Sequence, residues 1–140
     1  MEESLRELFI PDFSKEEAGN YSPLVLAFIG DAAYELAIRS MVVKQANRPV
    51  NELNRMKNKY VKAAAQSAMI EKILPELEAD EAAVYKRGRN ARSYTMAKNA
   101  TMADYRRATG FEALMGYLYL EGKIERLLEL VRKGMEDGQN

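Results

Sequence analysis

Apolar residues along the chain recur at spacings of three and four, and no stretch alternates apolar with polar positions for long enough to make a strand. The pattern predicts five or six helices and an all-α domain. "EESLRELF" makes a short first helix that ends before Pro11. "YSPLVLAFIGDAAYELAIRSMVV" opens with Ser22 at the cap and Pro23 at the first helical position, and runs to Lys44. Asn51 is placed to cap a second long helix, "ELNRMKNKYVKAAAQSAMIEKI", which breaks near Pro75. Asp80 is placed to cap "EAAVYKRGRNA", whereas "RSYTMAKNA" has no helical apolar period and reads as a loop. Thr101 and Asp104 resemble a capping box at the start of "MADYRRATGFEALMGYLYLEG", which stops at Gly122. "KIERLLELVRKGM" is a last amphipathic helix.

Two positions violate this pattern. The run "LVLAFIGDAAYELAI", residues 24–38, is nearly all apolar but contains Asp31 and, one turn on, Glu35. Ala27 lies on the same face one turn earlier, and Gly30 is adjacent. In "GFEALMGYLYL", Glu112 sits between Phe111 and an apolar run, with Thr109 and Gly116 on its face. A buried, unpaired carboxylate costs on the order of several kcal/mol. Small residues beside each acid let the two helices approach closely. Asp31 and Glu112 would then converge in a low-dielectric setting, and one of them would hold its proton. A divalent cation removes the conflict, and hard oxygen ligands select Mg²⁺, with Mn²⁺ able to substitute. The other reading is structural: each acid meets an Arg or Lys, or faces solvent at a helix end. The pattern alone leaves both open.

Composition narrows the chemistry. The 140 residues suit one domain, and at 47% hydrophobic they can bury a sizeable core. With no histidine and no cysteine, an imidazole base, an attacking thiolate and a Cys/His zinc site are all excluded. Lack of cysteine suits a reducing compartment. "MEESLRELF" is acidic and unlike a secretory leader, and Asp31 and Glu35 interrupt the longest apolar run well short of a membrane span. A soluble cytoplasmic protein without a membrane partner is expected. Charge is uneven. Between Lys86 and Arg107 there are seven basic residues and one acid, so this window carries +6 in a chain of net charge zero. The window is either a solvated surface or a site for a polyanion. A carboxylate metal site beside such a strip suits phosphodiester hydrolysis, because cations hold backbone phosphates and a bound metal lowers the pKa of a water.

The residues that carry these features also resemble a known family. "LAFIGDAAYELAIR" resembles the signature helix of the ribonuclease III nuclease domain, and "TGFEALMGYLYLEG" its second catalytic helix. "KRGRNARS" followed by "KNATMADYRRATGFEAL" resembles the compact branch of that family, Mini-ribonuclease III. The similarity runs from Leu24 to Leu130 in the family's order and spacing. It implies a ribonuclease III-type helical bundle over residues 1–140, with a core from 22 to 134, forming a two-fold homodimer through the signature helices. It further implies a metal-dependent endoribonuclease that cuts double-stranded RNA and leaves 5′-phosphate and 3′-hydroxyl ends. Asp31 would be the principal catalytic residue and a metal ligand, and Glu112 its partner in both roles. The compact branch matures the ends of precursor 23S ribosomal RNA in the bacterial cytoplasm. Full-length members carry a further Glu where this chain has Ala27, and an Asp where it has Thr109. The compact branch lacks both, which fits the resemblance and leaves the number of ions per site open. The missing acids also sustain an alternative: a catalytically inactive ribonuclease III-like module that binds RNA during ribosome assembly.

The resemblance leaves no room for the separate RNA-binding domain of full-length enzymes, so the nuclease domain is expected to hold RNA itself. A-form duplexes are recognised through shape, 2′-hydroxyls and phosphates. Lys86, Arg87, Arg89, Asn90, Arg92, Ser93 and Lys98 are the residues expected to contact phosphates, and Gly88 is expected to let the backbone approach the RNA. For Glu35, pairing with Arg39 at i+4 competes with a role as an outer metal ligand. Arg106 and Arg107 have a salt bridge as their simpler role. Tyr117 and Tyr119 read as core or interface.

Overall fold

The computed structural model describes residues 17–91 and 101–136, and every regular element in them is helical. After a 3₁₀ turn at Ala18–Asn20 come α1 (Pro23–Gln45), α2 (Val50–Val61) and α3 (Ala63–Ile73). A second 3₁₀ turn at Leu74–Glu76 leads to α4 (Ala79–Asn90), α5 (Met102–Leu120) and α6 (Ile124–Met135). The expected first helix and the "RSYTMAKNA" loop lie outside the described residues.

Helix α5 is the axis of the bundle, with α1, α3 and α4 packed around it. From Ala108 to Leu118 all its residues are buried except Glu112, which is half-buried. A helix apolar on all sides must be covered on all sides. Glycines set how closely the neighbours approach. A Cβ on Gly30 of α1 would lie 1.7 Å from the Glu112 carbonyl oxygen, and one on Gly116 of α5 would lie 1.9 Å from that of Leu26. The two helices therefore touch backbone to backbone, on the faces that carry the two acids. Gly88 and Gly110 make a second close crossing: a Cβ on Gly88 would come within 2.8 Å of the Ala113 Cβ. Gly88 is therefore buried inside α4 against α5, and the expectation that it admits an RNA backbone is corrected.

Several boundaries match the sequence pattern. Helix α1 starts at Pro23, Thr101 Oγ1 accepts from the Asp104 amide at 3.0 Å, and Gly122 ends the α5 region with φ of 75°. Two do not. The long helix expected to run without interruption toward Pro75 starts at Val50, ahead of Asn51, and is broken at Lys62, whose backbone is extended. Two side chains, one distant in the chain and one just past the break, capture the carbonyls there. The Tyr34 hydroxyl donates to the Tyr60 oxygen at 2.6 Å, and Gln66 Nε2 donates to the Val61 oxygen at 3.1 Å. Glu78, not Asp80, stands at the cap position of α4, where its amide donates to Glu81 Oε1 at 2.8 Å. Asp80 instead accepts from the Tyr117 hydroxyl at 2.7 Å.

One ion pair ties α4 to α6. Arg126 donates from Nε and Nη2 to the two oxygens of Glu81, which is 3% exposed. The guanidinium holds the Glu81 carboxyl below the usual carboxylate range, against the opposing effect of burial. Removing one partner of a buried pair strands the other charge. Arg126→Ala is expected to cost about 3 kcal/mol, the low end for such a loss because part of the arginine is exposed. The loss should be full at neutral pH and shrink as acid protonates Glu81, since a lowered folded-state pKa stabilises only above it. Urea melts of both proteins at pH 7 and pH 4 check this. A loss as large at pH 4 as at pH 7 would contradict it.

Candidate active site

The glycine contact between α1 and α5 decides where the two acids sit. Asp31 is the residue after Gly30, and Glu112 provides the carbonyl that Gly30 meets. Both acids line one cleft, and the Asp31 charge acts on the Glu112 carboxyl. Asp31 is exposed at the mouth of an open cleft, and Glu112 is half-buried at its floor. Burial pushes the Glu112 carboxyl up to about 8, and the charge of Asp31 opposite adds to the effect. A donated hydrogen bond from Gln66 works against it. Tyr105, Thr109, Glu35 and Arg39 line the same cleft.

Neither acid is locked to a cation. Among the described residues, neither Asp31 nor Glu112 forms an ion pair. Glu35 pairs with Arg39 at 2.7 Å, as i+4 spacing favours. Thr109 donates to the Tyr105 carbonyl at 3.0 Å, a bond within α5. Ala27 is nearly buried and contributes no polar atom.

The donor set fits a hard divalent cation. No group of three or more acids that could hold a metal occurs among the described residues. Mg²⁺ needs no such group, because it is often held by one or two carboxylates, with water and phosphate completing its octahedron. Gln66 adds a feature the sequence reading missed. It is 1% exposed; its Nε2 donates to Glu112 Oε2 at 3.5 Å as well as to Val61, and its Oε1 is buried without a partner. An unsatisfied buried acceptor costs about 1–3 kcal/mol. The sequence signal is one amide inside the apolar run "AAAQSAMI".

Of the seven residues expected to contact phosphate, four are described. Lys86, Arg87, Arg89 and Asn90 occupy the last turns of α4. Lys86 and Asn90 are exposed. Arg89 sits over the Tyr85 ring at 5.7 Å and donates to Asn90 Oδ1 at 3.3 Å. Arg87 is already engaged, donating to the carbonyls of Gly19 and Tyr21 and so pinning the 3₁₀ turn to α4. Arg92, Ser93 and Lys98 lie outside the described residues. Arg107 bridges Glu71 at 2.7 Å, its simpler role, while Arg106 is exposed. Tyr117 is buried in the core.

Comparison with known proteins agrees with the helical fold. A family model described as the Ribonuclease III domain matches residues 24–123, which include both acids and both close helix crossings. A protein named Mini-ribonuclease 3 from Thermoanaerobacter sp. (strain X514) is 48% identical over 123 residues, covering 88% of this chain and 87% of its own. Another of that name, from Clostridium tetani, is 46% identical over 130 residues, covering 91% and 86%. A crystal structure of a Fusobacterium nucleatum protein superposes with a TM-score of 0.77 at 31% identity, covering 84% of this chain and 96% of that one. With its helical bundle, its paired acids and these relatives, the chain belongs to the ribonuclease III family of endoribonucleases, the family that acts on double-stranded RNA.

Proposed function

We propose that this protein is a Mg²⁺-dependent homodimeric endoribonuclease that cuts double-stranded RNA in the cytoplasm and matures the 5′ and 3′ ends of precursor 23S ribosomal RNA. The observation that carries the reading is that Asp31 and Glu112, on two helices in backbone contact, line one cleft with neither acid ion-paired among the described residues, burial pushing the Glu112 carboxyl up to about 8. Asp31 and Glu112 are the residues that would hold the ion, with Mn²⁺ able to replace Mg²⁺. When bound, that ion supplies an acidified water and stabilises charge on the scissile phosphate. Asp31, open to solvent, is placed to meet the RNA backbone, and Glu112 beneath it is held by the core. Lys86, Arg89 and Asn90, with Arg92, Ser93 and Lys98 beyond them, would track phosphates on either side. Arg87, exposed though bound to two carbonyls, would fix that end of α4 and offer its charge to the same phosphates.

The exposed face of α1 supports the dimer. Phe28 is 81% exposed, Leu36 67% and Val43 61%. Large apolar side chains left exposed along one helix are the kind of surface an interface covers. A two-fold contact along it would bury the strip and set two clefts side by side, one for each RNA strand. No helix among the described residues is long and apolar enough to cross a membrane.

Purified protein is expected to cut duplex RNA in Mg²⁺ and not in EDTA, leaving 5′-phosphate ends. Binding without cutting under every divalent metal tried would favour the inactive assembly module instead. The carboxyl pair also sets a pH signature. An acid whose folded-state pKa is raised costs stability as pH climbs from its unfolded value, 4.5, through the folded one, about 8. The metal-free protein should therefore melt at a lower temperature at pH 8.5 than at pH 6.5. Saturating Mg²⁺ should raise the midpoint more at the higher pH. An equal Mg²⁺ shift at both would remove Glu112 from the metal site.

A further inference from the structure

Gln66 stands at the junction of three elements. Its backbone lies one turn into α3, just past the break at Lys62, and its amide accounts for two acceptors, the Val61 carbonyl and Glu112 Oε2. The Val61 carbonyl can only accept, so the NH₂ end must face it, and the oxygen end is left buried without a partner. A leucine or methionine would fill this place with no stranded oxygen, and helix α3 is otherwise alanine, serine and large apolar residues on its inner side. The capped Val61 carbonyl explains one of the two N–H groups. The other points at the acid on the floor of the cleft.

We infer that Gln66 is a positioning residue for the metal centre, holding the Glu112 carboxylate at one oxygen so that the other stays turned toward Asp31. The inference rests on the metal reading above and extends it to a residue with no metal-ligating role. Partners of this outer kind orient a ligand, and their loss typically lowers metal affinity about 10–100-fold. The kink at Lys62 takes on a purpose in this light: it turns the α3 side chains so that Gln66 reaches α5.

The test is Mn²⁺ binding, measured by calorimetry on the full chain at a temperature where all variants are folded. Wild type should bind Mn²⁺, and Gln66→Met should bind it at least tenfold more weakly. In a Glu112→Gln background, Gln66→Met should have no further effect, because its influence passes through Glu112. A purely structural role predicts lower thermal stability with unchanged Mn²⁺ affinity, and that result would overturn the inference while leaving the metal reading intact. Failure of wild type to bind Mn²⁺ would overturn both. Should Gln66→Met not fold, the wild-type Gln66 side-chain NH₂ resonances serve instead. They should shift on Mg²⁺ titration in step with binding and stay still in Glu112→Gln. Resonances that ignore bound Mg²⁺ would overturn the inference.

Discussion

Asp31→Asn should abolish RNA cleavage and at the same time make the metal-free protein more stable. The exchange keeps the shape and removes the charge that, with burial, pushes Glu112 up. Without it Glu112 titrates closer to its ordinary range, and the metal-free melt should rise at alkaline pH. Activity must fall, because a neutral amide is a weak ligand for a hard cation and the ion's contribution to phosphoryl transfer is worth several kcal/mol. At 1.36 kcal/mol per factor of ten, a loss of about 10³-fold or more follows. Duplex binding through the α4 cations should survive. Steady-state cleavage, thermal melts in EDTA at pH 8.5 and a filter-binding assay together read all three. Full cleavage by Asp31→Asn, or a lower metal-free melt, would break the link between the Asp31 charge and the chemistry. Such opposition between stability and activity is expected where a site holds like charges together.

Gly30→Ala should be the most damaging methyl group that can be added to this protein. The new Cβ would meet the Glu112 carbonyl at 1.7 Å and the Gly116 amide nitrogen at 2.6 Å, both backbone atoms that no rotamer change can move. Relief requires α1 and α5 to separate, opening the core and pulling the two acids apart. Overpacking of this severity costs about 3 kcal/mol or more, or roughly 10 °C in melting midpoint for a domain of this size. Metal-dependent cleavage should fall further than unfolding explains, since the folded fraction would carry a widened site. Gly19→Ala is the control: its Cβ would meet nothing closer than a Tyr117 ring carbon at 3.7 Å. A melting midpoint for Gly30→Ala within a degree or two of the control would refute the backbone contact as the origin of the site.

Much of this was legible in the sequence where the signal is local. Pro23, the Thr101–Asp104 pair and Gly122 mark boundaries by their own stereochemistry, and the structure follows them. Asp31 and Glu112 stood out because each is an acid in an apolar run, and the small residues beside them forecast the close helix contact that brings them together. The errors share one cause. The break at Lys62 falls in "KYVKAAAQ", which has high helix propensity and neither Gly nor Pro, so nothing local announces it. A tertiary bond from Tyr34 and a local one from Gln66 support the broken form. Asp80 is a better capping residue than Glu78 by type, but Tyr117 claims it from another helix. Gly88 looked like part of a phosphate-binding surface because its neighbours are cationic, but its partner, α5, is distant in the chain.

The most direct test of the shared ion is a crystal grown with Mn²⁺ and measured at an energy where manganese scatters anomalously. The account predicts one strong peak in the cleft, with an oxygen of Asp31 and an oxygen of Glu112 both at about 2.1 Å from it. A peak ligated by only one of these side chains, or a cleft with none while the crystal binds Mn²⁺ elsewhere, would contradict it.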